Sequence, residues 1–268
     1  MLNILALFSI FLTIHGYFNP MNQRKNLFTD VNCARIPPSF WCSNDQLTKT
    51  CGFAEVCNRY SQASKNQKVR LTVLYESMCP DCQKFITDIL YRDVYLKFGD
   101  FVEIELVPYG NAKNKNGTVT CQHGEEECRI NKYESCALHY ISEPVPFIYC
   151  LENQLRMGST LDQGAPKCYE TLHIQPHISD QVIHCANGKY GDKMQQEDAK
   201  KTDNIWPDKH EYVPWLVFNG VSLKNAQFFI KNLPSAICEW YVGDRPPSAC
   251  RGIGNTRRKN LNNVCMND

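Results

Sequence analysis

The 268-residue sequence has almost no net charge: 29 Lys and Arg stand against 28 Asp and Glu, for +1 at pH 7. A balance this even gives no electrostatic case for a nucleic-acid partner. Apart from Leu2 to Ile14 at the start, no apolar run approaches the length needed to span a bilayer, which argues against stable membrane insertion. Asn116-Gly117-Thr118 is the sole Asn-x-Ser/Thr sequon, and Cys79-Pro80-Asp81-Cys82 the sole Cys-x-x-Cys. Without a second close pair, a zinc ribbon is not available to those two sulfurs.

Cysteine, by contrast, is abundant. Fifteen residues of this type point to an oxidising compartment, and the odd count leaves at least one without an intrachain partner. Residues 1–16, with their short apolar core and small Gly16 before a polar stretch, read as a secretory signal peptide. Asn116 lies in a polar, Gly- and Asn-rich loop and is a glycosylation candidate. Cys33, Cys42, Cys51 and Cys57 crowd into 25 residues, where two bridges would staple a segment too short to build its own core. Spacing does not choose among their three pairings. Their pattern, with its Trp-Cys and Cys-Gly, resembles the saposin A-type domain over residues 29–64. That resemblance implies a disulfide-bonded module without catalysis.

The chain is organised around residues 68–97. Val69 to Tyr75 is a β-branched and apolar run that predicts a buried strand. Cys79 follows a three-residue turn, and Pro80 suits the first turn of a helix whose apolar face carries Ile86, Ile89, Leu90 and Val94. A Cys-x-x-Cys between a strand and an amphipathic helix reads as a thioredoxin-like redox pair. Cys79 would sit where unpaired backbone N–H groups and the helix dipole favour a thiolate. Cys82, one turn on, is placed to resolve a mixed disulfide. The charge of Asp81 should oppose part of that thiolate stabilisation. The competing reading makes the pair a permanent staple in a non-catalytic secreted binding protein.

Phe101 to Val107 predicts a second strand, completing a right-handed βαβ unit. Residues 109–120 read as a polar loop. In the stretch Cys121 to Cys136, separations of seven and eight positions are not finger-like, so Cys121, Cys128 and Cys136 are read as disulfide formers and no metal is expected. His123 is read as a structural hydrogen-bonding residue. Phe147 to Leu155, Lys167 to Ile174 and Ser179 to Asn187 are candidate helices of an insertion over about 109–210, with Cys150, Cys168 and Cys185 available to tie them. Gln195 to Asp203 reads as a solvated face. Asn219-Gly220 between two apolar runs signals a hairpin, and Asn225 to Tyr241 a helix covering the sheet. From Gly243 the chain turns polar, a tail that Cys250 or Cys265 would pin.

Cys121, Gln122, His123, Gly124, Glu127, Cys128, Asn131 and Cys136 fill every fixed position of a signature. By it, and by Cys79-Pro80-Asp81-Cys82 upstream, the chain resembles the gamma-interferon-inducible lysosomal thiol reductase family over about residues 68–242. The resemblance implies an α/β, thioredoxin-like fold and a secreted or lysosomal location. It implies reduction of protein disulfides by Cys79 and Cys82, without a cofactor and with an external dithiol as electron donor. It further implies that Pro214, with Val213 before it, is a cis proline against the redox pair whose backbone receives an extended substrate.

Overall fold

The computed structural model describes residues 33, 45–54, 65–241, 243–245 and 247–251. The expected signal peptide over 1–16, Cys42, Cys57 and Cys265 lie outside the described residues. A short helix α1 (Asp45–Thr50) precedes the main body. Strand β1 (Val69–Tyr75) is paired on both sides, parallel to β2 (Val102–Pro108) and antiparallel to β5 (Trp215–Phe218); β6 (Val221–Ser222) completes the order β2-β1-β5-β6. A strand buried on both faces must be apolar almost throughout, which is why Val69 to Tyr75 carries no simple alternation.

Helix α2 (Pro80–Lys84) continues without a break through a π-helical stretch, Phe85–Tyr95, and a last turn, Leu96–Phe98. It packs Phe85, Ile86 and Leu90 against Leu71 and Val73 on one sheet face. The other face buries Leu74, Val107, Trp215 and Val217 in a second, smaller core. A βαβ unit followed by an antiparallel ββ pair and a covering helix, with Cys-x-x-Cys opening the first helix, is a thioredoxin-like arrangement.

Asn219 (φ +48) and Gly220 (φ +78) both adopt left-handed backbone at the β5–β6 turn, as the Asn-Gly signal predicts. The chain then runs through a 3-10 stretch, Lys224–Asn232, into α8 (Leu233–Trp240), so the expected single helix is two. The Cys238–Cys250 bridge pins the beginning of the tail to α8.

Between β2 and β5 lies the helical insertion. The expected polar loop contains a small hairpin, β3 (Lys113–Lys115) and β4 (Thr118–Thr120), with exposed Asn116 in its turn. Then follow α3 (Glu125–Tyr140), α4 (Pro144–Arg156), α5 (Leu161–Thr171), α6 (Pro176–Ala186) and α7 (Lys189–Asp203). Cys136–Cys185 joins α3 to α6, and Cys150–Cys168 joins α4 to α5.

Two sequence expectations need correction. Helix α5 starts six residues before Lys167 and runs through Gly164 and Pro166, two residues that ordinarily interrupt a helix. The Gln163 side chain accepts the N–H of Thr160 at 3.1 Å, fixing that start. A Cβ at Gly164 would lie 3.0 Å from Gln154 Cβ on α4, so the glycine lets the two helices approach closely. Gln195 to Asp203 is not a solvated face. Gln195, Asp198, Ala199 and Thr202 form the buried side of α7. Lys201 on its rim reaches Glu105 of β2 at 3.1 Å, and of the charges that suggested exposure Asp198 is turned inward.

Candidate active site

The turn after β1 delivers Cys79 to the helix N-terminus. Cys79 has extended backbone (φ −76°, ψ 118°) and caps α2, with Pro80 in its first turn. Five bridges join the other described cysteines, while Cys79 and Cys82 are free thiols. Cys82 is fully buried, whereas Cys79 retains 9% of its surface and is the more accessible sulfur. The two are electrostatically unlike. A hydrogen bond from the Cys82 thiol, helped by the N–H groups of Cys82 and Asp81, outweighs burial and brings the Cys79 thiol down to about 6; the Asp81 charge opposes the shift. Burial, and then the neighbouring Cys79, push Cys82 far up. At pH 5 a thiol of pKa about 6 is ~10% thiolate, against ~0.03% for an unperturbed one.

The second wall is the start of β5. The Val213–Pro214 peptide is cis, and the Val213 carbonyl oxygen lies 4.0 Å from Cys79 Sγ. Both residues are buried side by side with Trp215. The polypeptide before β5 therefore runs past the reactive sulfur with a backbone acceptor facing it.

A third wall comes from the signature segment. The Cys121–Cys128 bridge closes the loop that carries His123 into the first turn of α3. Gly124 (φ +92) makes the turn before that helix, and Glu125, Glu126 and Glu127 suit its positive end. One helical turn on, Asn131 Oδ1 accepts both the N–H (3.0 Å) and the hydroxyl (2.7 Å) of Ser77. Gln83 donates to the Ser77 carbonyl at 2.8 Å. Ser77 is thus held on all its polar groups, and the turn that aims Cys79 is fixed from two helices. Glu76 is held as well. Its Oε1 accepts the Asn111 N–H at 2.6 Å, and Gly110 (φ +57) lies so close that a Cβ would meet Glu76 Cγ at 2.5 Å. Burial raises the Glu76 carboxyl to about 7, with the Asn111 hydrogen bond opposing.

Glu76, Ser77, Gln83 and Asn131 are the site residues that sequence reasoning did not single out, Asn131 having served only as a signature position. Their available signal is polarity next to a fully apolar strand and helix face. Deeper still, Glu134 of α3 and Glu152 of α4 are wholly buried, and burial holds both carboxyls above the ordinary range. Among the sequence candidates, Cys79, Cys82, Val213, Pro214 and the Cys121–Cys128 loop meet at one place. Cys136 is part of the insertion's cross-link, and Asn116 sits apart in its hairpin turn. Cys33 is bridged to Cys51, on the N-terminal side of the redox domain in sequence.

A family profile described as "Gamma interferon inducible lysosomal thiol reductase (GILT)" matches residues 70–172. The chain is 34% identical over 243 residues to the gamma-interferon-inducible lysosomal thiol reductase of Carassius auratus, covering 88% of this chain and 91% of that one. The protein of the same name in Mus musculus is 34% identical over 228 residues, covering 81% and 86%. The gamma-interferon-responsive lysosomal thiol protein of Arabidopsis thaliana is 37% identical over 193 residues, covering 70% and 78%.

Proposed function

Because the chain belongs to the gamma-interferon-inducible lysosomal thiol reductase family and is a thiol-disulfide oxidoreductase, we propose that it reduces disulfides of protein substrates with Cys79 as nucleophile and Cys82 as resolving thiol. The observation that carries the assignment is the asymmetry of the pair. One thiol is near pKa 6 at a helix N-terminus, and the other is buried and kept protonated.

The thiolate of Cys79 attacks one sulfur of a substrate disulfide. The S–S bond breaks, Cys79 becomes bonded to that sulfur, and the other substrate sulfur leaves as a thiolate that takes up a proton. Cys82 then loses its proton and attacks Cys79 Sγ. The Cys79–Cys82 disulfide forms and the second substrate thiol is released. Two electrons have passed from the pair to the substrate, and an external dithiol restores the reduced pair. Val213 and Pro214 offer backbone to an extended substrate segment beside the sulfur, which suits a partly unfolded protein.

Cys82→Ser should accumulate a mixed disulfide with a model protein substrate, and Cys79→Ser should lose at least a hundredfold in reduction rate and trap nothing. Equal activity in the two variants would reject the roles. Labelling of free thiols after mild reduction separates this reading from a permanent staple, since a staple would resist a mild dithiol.

Family and bridges agree with a secreted or lysosomal compartment, and no helix among the described residues is long and apolar enough to cross a membrane. Our reading of the domain organisation is a leader over 1–16 that is removed and a saposin A-type module over 29–64. A reductase domain over 68–242 follows, with its helical insertion at about 109–210, and a polar tail over 243–268. Asn116, exposed in a turn, suits a glycan.

A further inference from the structure

Behind the turn that aims Cys79, three side chains converge whose geometry the redox reaction does not use. His123 Nδ1 lies 2.5 Å from Glu127 Oε2 and 3.6 Å from Glu76 Oε2, and the three atoms all fall within 4.8 Å of one another. Both carboxylate side chains are fully buried, while the imidazole is one-third exposed.

An imidazole has a single hydrogen at Nδ1 and cannot serve both carboxylates. At these distances it serves Glu127, and Glu76 Oε2 is left buried without a hydrogen-bond partner. A buried carboxylate oxygen without a partner is costly, and either a bound proton or a metal ion would satisfy it.

The far side of each carboxylate is already tied down. Glu76 Oε1 accepts the backbone N–H of Asn111 at 2.6 Å, and Glu127 Oε1 accepts the backbone N–H of His123 at 3.1 Å. Each acid therefore presents its other oxygen, fixed in place, to the same point, that of Glu76 unpartnered and that of Glu127 held by His123 alone. Outer hydrogen bonds that orient ligands in this way are a feature of metal sites. The scaffold around them is stiff, because the Cys121–Cys128 bridge closes the loop carrying His123 and Glu127.

We propose that Glu76, His123 and Glu127 form a binding site for a divalent transition-metal ion of the zinc type. Bonds of about 2.0–2.2 Å to nitrogen and oxygen ligands put neighbouring donors of a tetrahedral site roughly 3.3 Å apart. The Glu76–His123 separation of 3.6 Å is close to that, and the Glu127–His123 contact must open by under an ångström as the ion displaces the Nδ1 hydrogen. Two carboxylates match the charge of the ion. Three protein ligands leave a coordination position open, and the exposed edge of His123 gives a way in. The Glu76 carbonyl accepts the Cys79 N–H at 3.2 Å, so the ion would sit beside the redox centre without requiring its sulfurs.

The test is an isothermal titration of the full chain with zinc chloride at pH 7.5, with Cys79 and Cys82 oxidised to their disulfide so that neither thiol can ligate. One ion per chain with micromolar or tighter affinity is expected, weakened at least tenfold by His123→Ala. That change removes a partly exposed ring, and folding is verified by circular dichroism. Zinc-edge absorption on the wild-type 1:1 sample should show nitrogen and oxygen ligands without sulfur, an answer that does not depend on any variant folding. Absence of saturable binding, equal affinity in His123→Ala, or sulfur in the coordination shell would each overturn the site. None of these outcomes bears on the reductase reading, whose trapping experiment is run in EDTA.

Discussion

Cys79 is the residue whose chemistry can be predicted most sharply. Its thiol is lowered to about 6 first by the Cys82 thiol and then by the N–H groups of Cys82 and Asp81. In the reduced chain, alkylation of Cys79 should rise with pH along a curve with its midpoint near 6, measured in EDTA by mass spectrometry of the labelled peptide. Cys82→Ala removes the strongest contribution and should move that midpoint upward. Asp81→Asn removes the opposing charge and should move it downward. A midpoint near 9 in the wild-type chain would mean that the helix terminus does not act on the sulfur. The same shift is a stability statement. A thiol whose folded value lies below its unfolded one stabilises the fold above the unfolded pKa and loses that contribution as pH falls through the folded one. The reduced chain should therefore gain stability between about pH 6 and about pH 9 relative to the oxidised chain.

At the scale of elements, helix α3 carries the family signature, and its first two turns face the turn between β1 and α2. Asn131 accepts from both donors of Ser77 in that buried turn. Asn131→Ala should cost ~1–3 kcal/mol in urea unfolding, the penalty of buried donors left without an acceptor. It should also slow reduction, because the turn that aims Cys79 loses its anchor; Asn131→Asp keeps an acceptor and should recover part of both. Undiminished reduction in Asn131→Ala would show that the cradle is dispensable. This element also marks where sequence reading stopped. The Val69 to Tyr75 strand, the Cys-x-x-Cys helix and the Asn219-Gly220 hairpin were legible because each has a local cause: an apolar run, a helix-start proline, a turn needing left-handed backbone. Helix α3 was not, because its buried face is largely polar, with Glu127, Asn131, Glu134 and Ser135 where an apolar stripe would announce a helix. The same polarity hid Glu76 and Ser77. Disulfide partners were illegible for another reason: Cys136–Cys185 spans 49 positions, and pairing at that range is decided by the tertiary fold.

Taken together, the described residues bury several carboxyls whose protonation the interior favours. Glu134 and Glu152, on α3 and α4, face each other with all four carboxylate oxygens buried, and their polar neighbours are each other and the Tyr75 hydroxyl. Both carboxyls are raised by burial, and the Glu134 charge raises Glu152 further. On α7, burial brings Asp198 up to about 6, although the Ser135 hydroxyl donates to it at 2.6 Å and Lys201 lies 4.0 Å away. Among the described residues no cation acts on the Glu134–Glu152 pair, and Tyr75 beside Glu134 is itself held protonated, chiefly by burial. Holding protons is therefore how the fold tolerates these acids. The direction of the pH effect follows. A carboxyl whose folded pKa exceeds its unfolded one adds stability that is complete below the unfolded value, near 4.5 for Glu, and disappears as pH rises through the folded value. The interval runs from about pH 4.5 upward through 6, which is the range of an acidic compartment. With Cys79 and Cys82 oxidised, to silence the opposite contribution of the thiolate, the melting temperature should be higher at pH 5 than at pH 7.5 by roughly 5 °C or more, a difference of a few kcal/mol in a domain of this size. Glu152→Gln replaces a protonated acid by a neutral group of the same shape, so it should flatten the dependence and raise the melting temperature at pH 7.5 more than at pH 5. If the wild-type protein instead melts at the same temperature across this range, the pair is not carrying a proton.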